Sequence, residues 1–303
     1  MTDDNLLATT RPGLEVDAAR LEQWMSANIA GFRGPLSVKQ FRGGQSNPTY
    51  LLETPHQHYV LRRKPPGELL ASAHAVDREY RVLAALSEFP VPVPRVFALC
   101  EDAAVIGTAF YVMQHVAGRI VWDSALPEVP PDARRMHFEA MNAALVSLHN
   151  VDYRAAGLAD FGRAEGYIAR QVSRWSKQYM ADSDAGRIGA MDRLVEWLPA
   201  HLPESSAVAV VHGDYRIDNL VFHPTEPRVL AILDWELATI GDPIADFAYH
   251  LMIYRLPTLA IPGLVGVDLE AQGIPSESDY VALYCQRTGR ESLPDLDVYL
   301  AYS

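Results

Sequence analysis

Apolar positions change their period along the chain, and the changes predict its elements. Leu14, Leu21, Trp24, Met25 and Ile29 recur at helical spacing and predict an amphipathic opening helix. Short alternating segments follow. Val38–Phe41, Tyr50–Glu53 and His58–Arg63 read as strands, with the glycine turn Gly43-Gly44-Gln45-Ser46-Asn47 between the first two. Alternation in the third sets Val60 and Arg62 on one face and Tyr59 and Leu61 on the other. A helix is predicted from about Ala75 to Ser87, with Val76, Tyr80 and Leu83 as its stripe. Pro90 to Pro94 must be extended, because each proline fixes its own φ and disfavours helix in the residue before it. Ala109–Met113 is an apolar strand, and Gln114 to Gly118 reads as a connector.

Beyond the connector the pattern turns helical. Phe138, Met141, Leu145 and Leu148 form one stripe. Ile168, Val172, Trp175 and Tyr179 form a second, and Ile188, Met191, Leu194, Val195 and Leu198 a third. Trp and Tyr residues at this spacing are expected in the core. Ala207–Val211, Leu220–Phe222 and Val229–Leu233 interrupt the helices as short strands. His212-Gly213-Asp214 follows the first of these and Asp234 the last. Side chains at strand ends are held by rigid backbone, which suits catalysis. Leu296 to Tyr302 reads as the start of a further amphipathic helix. The expected fold is α+β and two-lobed. A small β-rich N-terminal lobe covers residues 1–113, and the connector with a larger helical C-terminal lobe covers residues 114–303.

Composition narrows the function. The 303 residues carry 26 Lys+Arg against 38 Asp+Glu, a net charge of −12, with 49% hydrophobic residues. That is the balance of a folded globular chain. The acidic excess argues against nucleic-acid and anionic-lipid partners, which need a basic surface. Cys100 and Cys285 stand far apart, so no disulfide framework is expected and a reducing cytoplasm fits. Met1–Pro12 lacks the apolar core of a signal peptide. The most apolar stretch, Pro243 to Val267, is broken by Asp246, His250 and Arg255, so no membrane span is expected. No G-x-G, Gly-Lys pair, H-E-x-x-H or G-x-S-x-G occurs, which removes Rossmann, Walker, zinc-protease and serine-hydrolase readings.

The segment from His212 to Asn219 contains H-x-D-x-x-x-x-N, and Asp234 stands 20 residues after Asp214. Phosphoryl transfer explains these residue types. A carboxylate, Asp214, orients a hydroxyl nucleophile and accepts its proton. An amide oxygen and a second carboxylate, from Asn219 and Asp234, suit Mg²⁺, a hard ion that prefers oxygen ligands. Each residue alone reads better as a turn or strand-end Asx. The ordered set on these strands favours chemistry.

His212-Gly213-Asp214 to Asn219, then Ile232-Leu233-Asp234-Trp235, resembles the signature of the aminoglycoside phosphotransferase family, which has the protein-kinase-like fold. The resemblance extends to Gly43–Tyr50, to Tyr59–Arg62 and to Gly241-Asp242-Pro243 with Asp246. The run Leu61-Arg62-Arg63-Lys64-Pro65-Pro66-Gly67 resembles a branch that also occurs fused to acyl-CoA dehydrogenase domains.

The resemblance implies ATP and Mg²⁺ as cofactors and a small hydroxylated molecule as substrate. It implies that Gly43, Gly44, Ser46 and Asn47 form the loop over the ATP phosphates; an ordinary hairpin is the alternative. Arg62 falls where kinases carry a phosphate-binding lysine and is preferred to Lys64, one strand step further along the same face; Glu79 is its candidate partner, with a solvated helix glutamate as the alternative for Glu79. Arginine keeps its charge and grips phosphate bidentately. The backbone from Gln114 to Val116 corresponds to the hinge that bonds adenine. Asp246 is expected to brace the catalytic loop, Asp242 to cap a helix, and His212 to support the loop. Asp218 is a weaker candidate for metal or substrate contact, and His56 and His58 read as a loop and strand pair. Among acceptors, the fused branch points to a hydroxyacyl compound, whereas the acidic charge suits an aminoglycoside. A non-catalytic nucleotide-binding scaffold is the remaining alternative.

Overall fold

The computed structural model describes residues 7–8, 10–42, 47–66, 75–182, 186–204, 207–258 and 262–303. The glycine-turn residues Gly43, Gly44 and Ser46 lie outside the described residues. Contacts divide the chain into two compact units. One takes Met1–Ile120, Leu220–Thr225 and Leu230–Glu236; the other takes Val121–Asn219, Glu226–Val229 and Leu237–Ser303.

The first unit is built on one antiparallel sheet. Its strands are β1 (Leu7–Ala8), β2 (Ser37–Phe41), β3 (Thr49–Glu53), β4 (His58–Arg63), β5 (Val96–Cys100) and β6 (Phe110–Gln114), in the spatial order β1-β2-β3-β4-β6-β5. Register places Arg62 opposite Thr49 on one side and Tyr111 on the other. Alternation then sorts the side chains by face. Tyr50, Leu52, Tyr59, Leu61, Phe110 and Val112 join Leu21, Met25 and Ile29 in one buried cluster. Leu21 and Met25 come from α1 (Ala18–Asn28), whose N-cap Asp17 accepts from the amides of Ala19 and Arg20. Arg62 alternates to the opposite side from Tyr59 and Leu61. The helix expected after β4 is α2 (Val76–Leu86), with Val76, Glu79, Val82, Leu83 and Leu86 buried. A short α3 (Ala103–Ile106) precedes β6.

β7 (Arg119–Ile120) is followed in the chain by α4 (Pro131–His149), α5 (Tyr167–Ala181), α6 (Gly189–Trp197) and β8 (Ala209–Val211). Next come β9 (Leu220–Phe222) and β10 (Val229–Ile232). β9 pairs with β7, setting Arg119 opposite Phe222 and Ile120 opposite Val221. This pairing returns a late stretch of sequence to the first unit. It also requires glycine at position 118, where a Cβ would stand 2.4 Å from the Phe222 carbonyl oxygen.

In the second unit β8 pairs antiparallel with β11 (Thr239–Gly241), and α7 (Pro243–Leu251), α8 (Glu277–Thr288) and α9 (Leu296–Tyr302) complete the helices. Its centre is aromatic. The Phe247 and Tyr284 rings stack with centroids 3.9 Å apart, and Phe138 meets Tyr280 edge-on. One expectation about the core needs correction, and one predicted stripe is largely uncovered. α6 buries none of its residues, and Ile188 and Met191 from its stripe are exposed. Trp175 of α5 is also exposed, so that stripe is buried only at Ile168 and Val172. Amphipathic spacing identifies a helix face without guaranteeing that another element covers it. No helix among the described residues is long and apolar enough to cross a membrane.

One core histidine makes stability depend on pH. His250 of α7 is buried, with Nε2 2.9 Å from the Tyr280 hydroxyl and Nδ1 3.2 Å from the Tyr215 carbonyl. Burial pushes its pKa down from 6.5 to about 4. The unfolded chain therefore binds a proton between these values that the folded chain refuses. The neutral-His250 contribution is complete above pH 6.5 and falls away toward pH 4, a loss of about 3 kcal/mol. Urea unfolding of wild type and His250→Gln across pH 4–7 should give a shallower acid slope for the variant. Parallel slopes would exclude His250 as the cause.

Candidate active site

In the first unit the candidate residues gather on Arg62. Its side chain is only 8% exposed, and its Nε lies 2.8 Å from Glu79 Oε2. Its Nη2 lies 2.7 Å from Asp234 Oδ1 and 3.6 Å from Glu236 Oε2. Burial alone would lower the Arg62 pKa, but the neighbouring carboxylates of Glu79 and Asp234 outweigh it and raise the pKa further. Beside this ion pair, Glu79 accepts hydrogen bonds from Asn47 Nδ2 at 2.6 Å and from the Tyr111 hydroxyl at 3.0 Å. It is thus a buried charge partner rather than a solvated helix glutamate. Lys64 points elsewhere, to Asp77 at 3.7 Å.

Three carboxylates surround one guanidinium, so the cluster carries 1 − 3 = −2. Asp234 adopts φ 64°, in the left-handed region that non-glycine residues seldom occupy. Such backbone is retained where surrounding structure imposes it, commonly at functional positions. Gln114 ends β6, and its amide donates to the Arg95 carbonyl at 2.7 Å. Val116 follows half-buried.

In the second unit the catalytic-loop candidates are braced from α7. Asp242 caps that helix by accepting from the Ile244 amide at 2.9 Å, and Pro243 opens it. One turn in, Asp246 Oδ2 accepts from the His212 amide at 2.7 Å and Oδ1 from the Gly213 amide at 2.8 Å. His149 Nε2 lies 3.2 Å from Asp246 Oδ2. Burial would raise the Asp246 carboxyl, but the bond from His149 and the His212 amide hold it below the usual carboxylate range. Gly213 has φ +82°, and a Cβ there would stand 2.9 Å from the Leu237 carbonyl oxygen. The H-G-D sequence therefore needs its glycine. The Asp214 amide donates to His212 Nδ1 at 3.2 Å, which makes His212 a loop support.

Asp214 itself is partly exposed. Its Oδ2 accepts from Asn219 Nδ2 at 3.0 Å, and the same nitrogen donates to the Asp214 carbonyl at 2.9 Å. Its Oδ1 accepts from the Tyr249 hydroxyl at 2.7 Å. Arg216 Nε stands 3.2 Å from that oxygen, and Arg216 Nη2 pairs with Asp218 at 2.9 Å. Because Asn219 uses its amide nitrogen on Asp214, its oxygen is the atom suited to a cation.

Sequence reasoning missed Tyr111, Glu236, Arg216 and Tyr249. Glu236 and Arg216 each stand two residues from an aspartate already singled out, and Tyr249 stands one helical turn after Asp246. His58 approaches His115, with ring centroids 5.7 Å apart. Among the described residues no group of three or more His, Cys, Asp or Glu is arranged to hold a metal by itself.

The model of the phosphotransferase enzyme family (APH) matches residues 37–277. Mouse acyl-CoA dehydrogenase family member 10 is 46% identical over 273 residues, covering 89% of this chain and 25% of that protein. The chain spans between 25% and 39% of the length of the curated relatives it matches. A crystal structure from Ralstonia eutropha, of a candidate aminoglycoside phosphotransferase, is 50% identical with a TM-score of 0.86. The match covers 95% of this chain and 85% of that one. The GDP complex of an aminoglycoside 2'-phosphotransferase aligns at 16% identity with a TM-score of 0.64, over 94% of this chain and 86% of that one. That likeness places the two chains in one kinase-like α+β fold.

Proposed function

The chain belongs to the phosphotransferase enzyme family, and on that premise we propose that it moves the γ-phosphoryl of ATP to a hydroxyl of a small molecule with the help of Mg²⁺. The observation that carries this reading is the Asp214 carboxylate. It is partly exposed, held by Asn219 Nδ2 at 3.0 Å, and stands on a loop whose amides are fixed by buried Asp246. A carboxylate so held can orient an acceptor hydroxyl and take its proton.

The donor set fits magnesium. Mg²⁺ is commonly held by one or two carboxylates and substrate phosphates rather than by an all-protein cage. Asp234 and the Asn219 amide oxygen are the proposed ligands, and the net charge of −2 around Arg62 favours a cation. When bound, the ion offsets charge that builds on the transferred phosphoryl group. Arg62 is the proposed phosphate grip, kept charged and aimed by Glu79. Gly43, Gly44, Ser46 and Asn47 are the proposed loop over the phosphates. Since the Gln114 amide already serves Arg95, the Val116 backbone is the better candidate for adenine.

Asp234→Ala should weaken ATP binding about tenfold or more, about 1.4 kcal/mol, in the presence of Mg²⁺ and far less in its absence. Calorimetry with and without the ion checks this; equal losses in both would remove Asp234 from the metal site. Relatives named as acyl-CoA dehydrogenases point to a hydroxyacyl compound, such as a hydroxyacyl-CoA, as acceptor. The charge of −12 and the 50% identical structure favour an aminoglycoside as the second reading. Buried thiols at Cys100 and Cys285 suit a reducing compartment such as the cytoplasm. ADP release should be measured over a panel of hydroxyacyl-CoA thioesters, aminoglycosides, choline and homoserine. Acceptor-dependent ADP formation with one class supports a kinase. Nucleotide binding without turnover on any member would favour a scaffold.

A further inference from the structure

The helix that braces the catalytic loop also reaches its carboxylate. Asp246 and Tyr249 stand three residues apart on α7 and so share a face. Asp246 holds the loop backbone through the His212 and Gly213 amides. Tyr249 reaches the Asp214 side chain, its hydroxyl donating to Oδ1 at 2.7 Å. We propose that Tyr249 is a positioning residue of the phosphotransfer site, fixing one oxygen of Asp214 while Asn219 fixes the other. This rests on the assignment of Asp214 as the base.

The physical need is clear. An aspartate carboxylate turns freely about its last torsion, which is broad and roughly two-fold. One donor on Oδ2 leaves it a pivot; a second donor on Oδ1 removes the rotation. Arg216 does not supply that second donor. Its Nε is 3.2 Å from Oδ1 but lacks hydrogen-bond alignment with any partner.

Tyr249 suits the task because its support is rigid. α7 is capped by Asp242, whose other oxygen accepts from the Tyr299 hydroxyl at 2.7 Å. The same helix is anchored by the Phe247 ring stacked on Tyr284 and by His250 against Tyr280. Burial, then the Asp214 charge, push ionisation of the Tyr249 phenol upward, so it remains a donor. A carboxylate oxygen accepts more than one hydrogen bond, and Oδ1 retains a lone pair for an acceptor hydroxyl.

Tyr249→Phe removes the hydroxyl and keeps the ring. With 3-hydroxybutyryl-CoA as probe, and the rest of the panel if it is inert, kcat should fall about tenfold. KM for ATP and the melting midpoint should stay at their wild-type values, and a crystal structure of the variant should show the Asp214 carboxylate rotated. Unchanged kcat overturns the proposal. So does a loss of kcat that comes with an equal loss of thermal stability, because packing would then explain it. Wild-type protein inactive on every acceptor is a failure of the kinase reading instead. The variant crystal still decides in that case, since an unrotated carboxylate refutes the positioning role and a rotated one supports it.

Discussion

Asp214→Ala should lower phosphoryl transfer by about a thousandfold, equivalent to about 4 kcal/mol of transition-state stabilisation. ATP affinity should remain within a few-fold of wild type, because Asn219, the proposed metal ligand bonded to the Asp214 side chain, also donates to the carbonyl of residue 214 and keeps that anchor in the variant. The variant removes the acceptor of hydrogen bonds from Asn219 and Tyr249 and the charge partner of Arg216. Those donors sit at a partly exposed position where water can replace the carboxylate, so the fold should survive. Steady-state rates together with nucleotide titration check both halves. Turnover that stays near wild type, or ATP binding that vanishes with it, would move the base elsewhere.

Glu79→Ala should be the most damaging substitution to stability in the first unit. Arg62 Nε would lose its 2.8 Å partner while only 8% exposed. Asn47 Nδ2 and the Tyr111 hydroxyl would also be left without the acceptor they share. Breaking a buried pair from one side costs about 3–5 kcal/mol, since a charge is then buried without compensation. Asp234 remains beside Arg62 and should keep the loss near the lower end. Glu79→Gln, which retains an acceptor oxygen, should fall between. With two compact units in the chain, a melting curve registers a loss of stability without saying which unit has loosened. Hydrogen exchange of β4 and α2 amides reports the first unit directly. Protection unchanged in Glu79→Ala would show the pair to be dispensable.

Much of this site was written in local sequence. Strand alternation put Arg62 opposite in sense to Tyr59 and Leu61, and those two indeed enter the apolar cluster. Asp242 followed by proline announced a capped helix, and Asp246 one turn later proved to be the buried brace. H-x-D-x-x-x-x-N brought Asp214 and Asn219 within 3.0 Å because a single turn separates them. The features that escaped depend on distant partners. Tyr249 meets Asp214 across 35 positions, and no periodicity encodes that approach. Leu220–Thr225 joins the first unit through β7, a pairing more than a hundred residues apart in sequence. Likewise, the apolar spacing of α6 and Trp175 says which side of a helix is greasy, and only packing determines whether it is covered.

The most direct test of phosphotransfer follows the phosphoryl group itself. Wild-type protein, ATP and Mg²⁺ are incubated with the acceptor panel, and products are read by mass spectrometry beside ADP formation. The account predicts one phosphorylated hydroxyl on the acceptor for each ADP released, lost in Asp214→Ala and on chelation of magnesium. ADP appearing without a phosphorylated acceptor, or a phosphorylated acceptor formed equally well by Asp214→Ala, would contradict it.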